Sequence, residues 1–197
     1  MALKYLELAM TEAVRRAQNQ YYGRAVNIAG APERDPLTQD EAEFIAERDS
    51  FYLGSISETG WPYIQHRGGP QGFLRVVNEK MLAFADYKGN RQLLTTGNVS
   101  VNNRVALFLM DYQNRARLKI LGHARVEDAR VHPDLVAQLA DPKMQSTVER
   151  LVFIDVVSFD WNCPKYITPR YSIEEVEELA GSLRTRIAEL ESELRAA

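Results

Sequence analysis

The sequence predicts an α+β protein organised around one antiparallel sheet or small barrel. Short runs rich in aromatic and β-branched residues recur between residues 51 and 161. Short turns join most of them, which favours hairpins over a parallel, doubly wound sheet. Segments of helical spacing fill the gaps between the runs.

The first segment, residues 1–48, reads as helical. Ala13, Val14, Ala17 and Tyr21 recur at helical spacing over 10–22, and Gly23 closes that run. A loop, IAGAPERDP, follows. Thr38 and Glu41 then have the spacing of a capping box, which predicts a helix to about Glu47. FYLGSISE and WPYIQHR flank Thr59-Gly60 and predict a first hairpin. FLRVV and MLAFAD flank Asn78-Glu79-Lys80 and predict a second. GNRQLLTTGNV returns to helical spacing. RVALFLMDY and ARLKILGHARVE are strong strands around a turn at Gln113-Asn114. Alternation in the latter places Leu118, Ile120 and Gly122 on one face, with Arg117, Lys119, Leu121 and His123 on the other. HPDLVAQLADP reads as a helix closed by Pro142, and RLVFIDVVSFDW as the last long strand.

The tail, residues 169–197, is a separate element. Ser172 and Glu175 form another capping-box pattern. Ile173, Val176, Leu179, Leu183, Ile187, Leu190 and Leu194 then step by three or four residues. Such an amphipathic helix is marginal alone in water, so it is expected to dock on its own barrel or on a partner subunit.

The 197 residues suit one domain with appendages, and a net charge of −3 without a block of like charge argues against nucleic acid as a partner. No apolar run is long enough to cross a bilayer. No signal peptide is read at the start, and a lone cysteine, Cys163, fits a reducing cytoplasm. The three histidines, His66, His123 and His132, have no metal-ligand spacing, so no metal site is expected. Nucleophile-elbow, P-loop and GxGxxG patterns are missing. Cys163 reads as a small residue before Pro164 rather than a nucleophile.

Cations beside sheet edges remain. His66-Arg67 precedes Gly68, Gly69 and Gly72; Asp86 to Gln92 join a strand to a helix; Arg115 and Arg117 head a strand; Trp161 to Tyr166 follow the last strand. Helix-start amides next to Asn90 and Arg91 would suit a phosphate. Each feature also has a plain reading. Arg91 could be a solvated helix residue, Arg117 an exposed strand cation, the glycine run a bulge and Trp161 part of the core.

Taken together, WPYIQHRGGPQGFLRV, MLAFADYKGNRQLLTTGNVSVNNRVALF, RLKILGHARV and DWNCPKYI resemble the pyridoxamine 5'-phosphate oxidase-like FMN-binding proteins. More narrowly, they are similar to the flavin-nucleotide-binding subgroup. The resemblance implies a split β-barrel of about six strands over residues 49–168, with flanking helices. It implies a homodimer with FMN at the subunit interface. The implied cofactor-binding residues are His66, Arg67, Gly68, Phe84, Ala85, Asp86, Asn90, Arg91, Gln92, Arg117, Trp161 and Lys165. Gly68 and Gly69 would let the backbone approach the flavin ring. The expected activity is FMN-dependent oxidoreduction of a small-molecule substrate or electron donor, with His66 or Lys165 as proton donor. The alternative is a non-enzymatic flavin-binding, storage or redox-sensing protein. A third reading is a related ligand, haem or a deazaflavin, with His66 or His123 as a haem ligand. RGGPQGF stands in place of the oxidases' longer positively charged strand segment, and WNCPKYITPRY in place of their arginine-histidine pattern for the substrate's phosphate, so pyridoxamine phosphate is not implied as substrate.

Overall fold

Seven antiparallel strands form one unclosed sheet in the computed structural model, which describes residues 2–161 and 164–196. Asn162, Cys163 and the side chain of Leu179 lie outside the described residues. The strands are β1 (Ser50–Ile56), β2 (Pro62–Gly68), β3 (Arg75–Asn78), β4 (Met81–Tyr87), β5 (Arg104–Asp111), β6 (Ala116–Asp128) and β7 (Val148–Trp161). Their order is β2-β1-β5-β6-β7-β4-β3. All the expected hairpins form, and this split-barrel sheet has seven strands where about six were expected. The two halves of the sheet meet at β6 and β7, whose ladder runs from Leu118–Trp161 to Asp128–Arg150.

Two compact units make up the chain. The first runs to Met110 and resumes at Arg117; the second comprises Asp111–Ala116 and the chain from Pro164 onward. In the first unit, one sheet face is filled by Leu53, Leu107, Leu118, Ile120 and Ile154, all fully buried. Phe51 stacks on Phe73 with centroids 5.5 Å apart and meets the edge of Phe84 at 5.4 Å. The alternation expected in β6 holds, because Leu118, Ile120 and Gly122 are buried while Arg117, Lys119, Leu121 and His123 are partly exposed.

The helices are α1 (Leu3–Ala9), α2 (Glu12–Tyr22), α3 (Gln39–Ala46), α4 (Leu94–Val101), α5 (Pro133–Leu139) and α6 (Ile173–Ala196). Helix α2 matches the first expected helix, with Thr11 accepting from the Val14 amide and Gly23 closing it at φ +67°. Helix α1 falls in the segment read as helical, but no separate helix was placed before residue 10. Its first amides, on Lys4 and Tyr5, donate to the carboxylate of Asp35 at 3.2 and 3.0 Å. A cap supplied from 30 residues away has no local sequence signature. The capping boxes of α3 and α6 both form: Thr38 donates its amide and hydroxyl to Glu41, and Ser172 and Glu175 exchange bonds.

Helix α4 corrects one expectation. The sequence suggests a helical run from Gly89, but the helix starts at Leu94. Asn90 accepts from the Gln92 amide through its side chain at 3.1 Å, an Asx turn that competes with helix geometry. Arg91 and Leu93 both take left-handed φ, +61° and +55°. Residues 88–93 are therefore a looped approach to α4 rather than its first turn.

Candidate functional site

The loop before α4 closes over the ends of β2, β4 and β7, all in the first unit. There it forms a cleft of about 160 Å³ lined by Gln65, Arg67, Asp86, Asn90, Arg91, Gln92 and Arg150, among others. Strand alternation places Tyr63, Gln65 and Arg67 of β2 on this side. The β4–β7 register sets Asp86 directly opposite Arg150.

Asp86 is the hub of the cleft. Arg67 donates from Nη1 to Asp86 Oδ1 at 2.6 Å, and Arg150 donates from Nε to Oδ2 at 2.7 Å. All three side chains are less than a fifth exposed. Arg150 also reaches Glu149 at 3.1 Å. Arg91 is held more loosely, with Nε 3.8 Å from Glu149 and its side chain 65% exposed. Thr95 donates its hydroxyl to Gln65 Oε1 at 2.9 Å, tying α4 to β2. The arginines thus exceed the carboxylates by one charge, and Arg91 is the cation least committed to a protein partner.

A larger hollow of about 800 Å³ shares Arg91, Leu93, Thr96 and Arg150 with this cleft. Val99, Ala124, Val126 and Val148 add apolar walls. Its rim is ionic. Arg125 reaches Glu127 at 2.9 Å, and Arg130 pairs with Asp128. Hydrogen bonds from the Arg130 side chain and amide hold the Asp128 carboxyl down at about 2. No histidine lines the cleft or the hollow among the described residues.

The structure brings Arg67, Asp86, Asn90, Arg91 and Gln92 together from the expected set. It places the others elsewhere. His66 sits on the opposite face of β2, where its ring meets the edge of Tyr52 at 5.6 Å. Phe84 and Ala85 are core side chains, 1% and 2% exposed, which leaves only their backbone to reach a ligand. Arg117 lies with its guanidinium 5.9 Å from the Phe108 ring, and its buried Nε has no hydrogen-bond partner among the described residues. Trp161 packs edge-on to Phe44 at 4.8 Å and donates its indole N–H to Glu41. Lys165 belongs to the second unit, with its ammonium 5.2 Å from the Tyr166 ring. His123 engages Asn103 through Nδ1 at 3.0 Å. No cluster able to hold a metal occurs among the described residues.

The glycine run also has an internal explanation. A Cβ on Gly69 would come within 2.7 Å of the Phe73 ring, and one on Gly72 within 2.9 Å of the Ala46 carbonyl. Both glycines are required by the chain's own packing. Gly68, at the end of β2, would meet His66 at 3.2 Å.

Sequence reasoning missed Arg150, Gln65, Thr95 and the hollow behind them. Arg150 carries a legible signal, because antiparallel pairing of MLAFAD with RLVFID can set Asp86 across from it. Thr95 has none, being an ordinary polar residue in a short helix.

The family model for pyridoxamine 5'-phosphate oxidase matches residues 37–151. No curated protein matches. Among solved structures, a Lactobacillus delbrueckii protein with the provisional description pyridoxamine 5'-phosphate oxidase superposes with a TM-score of 0.50 at 16% identity, over 64% of this chain and 94% of that one. An FMN-binding protein from Syntrophomonas wolfei is similar at 8% identity and a TM-score of 0.44, over 62% and 83% of the two chains. The heme storage protein HutZ from Vibrio cholerae is similar at 16% identity and a TM-score of 0.43, over 61% and 90%. With the family model spanning more than half of the 197 residues over a seven-stranded split barrel, the chain belongs to the pyridoxamine 5'-phosphate oxidase-like family.

Proposed function

We propose that the chain binds FMN, with the phosphate in the small cleft and the flavin ring in the larger hollow. The observation that carries this reading is the juxtaposition itself. A tight polar cleft with a loosely held arginine opens through shared walls into a larger, partly apolar hollow. The hollow lies within the range of about 300–1,000 Å³ usual for small-molecule sites, and the cleft alone lies below it. A phosphate dianion, a polar chain and a flat apolar ring need that sequence of environments.

In this reading Arg91 meets the phosphate, with Gln92 and Thr96 beside it. Asp86 orients Arg67 and Arg150 rather than binding the ligand. Leu93, Val99, Val126 and Val148 exclude water from the ring. Bound FMN would supply one- or two-electron redox chemistry, the protein contributing binding and electrostatics. We infer a flavin-dependent oxidoreductase acting in the cytoplasm as a homodimer, with a small-molecule electron donor.

The test is a titration of the purified protein with FMN, followed by flavin fluorescence. Binding by the native chain is expected. Arg91→Ala should weaken it by about 1.5–3 kcal/mol, the range for a hydrogen bond to a charged group. Equal affinity in the variant would remove Arg91 from the site. Steady consumption of NADPH with an added acceptor would then distinguish an oxidoreductase from a flavin carrier.

A further inference from the structure

We propose that α6 pairs in parallel and in register with α6 of a second copy of this chain, as a short two-stranded coiled coil. The inference stands apart from the flavin reading, since it uses none of the cleft residues.

Three observations carry it. The first is periodicity. Ile173, Ala180, Ile187 and Leu194 are spaced seven apart, and Val176, Leu183 and Leu190 fall three residues after the first three of them. These are the a and d positions of three heptads. Isoleucine at a with leucine at d, as at Ile187 and Leu190, favours two strands. The second is exposure. The large residues of this seam are open, from 42% at Leu190 to 78% at Leu194. A helix with Gly181 in its interior is weak by itself. The seam therefore needs a cover.

The third is charge, and it identifies the cover. In a parallel, in-register pair, a g residue faces the e residue five positions later on the other helix. Arg186 at g then meets Glu191 at e, twice by symmetry. The antiparallel registers fare worse. Layering Ile173 on Leu190 sets Glu177 against Glu191 and Arg184 against its own copy. Layering Val176 on Leu194 pairs Arg184 with Glu191 but sets Arg186 against its own copy, so it holds a repulsion that the parallel pair lacks. The present partner of Arg186, Glu189 at 2.8 Å in the same helix, is an exposed pair of small worth and no obstacle to re-pairing.

The test is cysteine crosslinking in the full chain, with Cys163→Ser as background. Leu190→Cys, at d, should oxidise to a disulfide-linked dimer, while Ser192→Cys, at f on the outer face, should give at least tenfold less. In a parallel pair the two sulfurs introduced by Leu190→Cys lie side by side; in either antiparallel register they lie many residues apart. Adding Glu191→Arg to Leu190→Cys should suppress the crosslink, and adding Arg186→Glu as well should restore it. Absence of a dimer with Leu190→Cys, equal yield with Ser192→Cys, or indifference to the charge changes would each overturn the proposal. A dimer made by the sheet alone gives neither the preference for Leu190→Cys over Ser192→Cys nor the response to the charge changes, so it is not mistaken for the helix pair.

Discussion

Asp86 shows how much of the site depends on one carboxylate. It is 8% exposed and sits between two arginines that have little other access to solvent. Removing one partner of a buried ionic cluster leaves uncompensated charge, at a cost of about 3–5 kcal/mol. Asp86→Ala is expected to lose stability on that scale in urea unfolding, and to weaken flavin binding through displaced arginines. Glu41 makes a second residue-scale case. Burial works to raise its pKa, but hydrogen bonds from the Thr38 hydroxyl, the Trp161 indole and the Thr38 amide outweigh it and hold the carboxyl below the ordinary value. A carboxyl depressed in the folded state stabilises fully above its ordinary pKa, and that contribution is lost as pH falls through the folded value. Native Trp161 should therefore change its fluorescence together with acid destabilisation below about pH 4. Glu41→Gln should flatten the stability profile across that window.

At the scale of elements, the glycines separate what a sequence reveals from what it conceals. The run after Arg67 is conspicuous in the sequence, and its visible explanation is a ligand. The structure gives Gly69 and Gly72 a second reason, their close fit against Phe73 and Ala46. Gly122, embedded in a strand, draws no attention, yet its place is tighter. It follows the register shift between Leu121 and Gly122, where β7 bulges against β6 with Val157 as the extra residue. A Cβ there would lie 2.6 Å from the Asp155 carbonyl and 2.8 Å from Ile154. Gly122→Ala must displace backbone, so it should destabilise the protein by about 1–3 kcal/mol or more, measurable by thermal unfolding. Hairpins, capping boxes and the β6 alternation were legible because local patterns determine them. Helix α1 and the start of α4 were not. One is capped by a distant Asp35, and the other is delayed by the Asn90 side chain.

On the scale of the whole molecule, strand order is the part that no local pattern supplies. β2 and β3 are adjacent in sequence yet end at opposite margins of the sheet. That separation brings β4 beside β7 and so creates the Asp86–Arg150 pairing at the floor of the cleft. The loop residues Asn90, Arg91 and Gln92 were readable from sequence; the strand pair that completes the cleft depends on this arrangement. Ligand linkage offers a global check. FMN at 100 times its dissociation constant should add about 2.7 kcal/mol to the unfolding free energy. The thermal shift should shrink sharply in Arg91→Ala at the same concentration.

The unclosed sheet has a consequence for how the molecule keeps to itself. An open strand edge is a template on which further strands can assemble. β3 offers little of one, being four residues with an irregular register at Val76–Asn78. β2 is longer, but its phase is fixed at both ends. The Ser57 amide donates to the Trp61 carbonyl, and the Gly69 amide to that of Asp49. In this phase Pro62, Ile64, His66 and Gly68 turn their backbone away from β1. Proline has no N–H to offer, and a glycine ends the row just before Pro70. The margin is thus blunted at both ends against fibril-like growth, and Pro62→Val should shorten the lag of aggregation in light scattering without altering the pairing of β1 with β2.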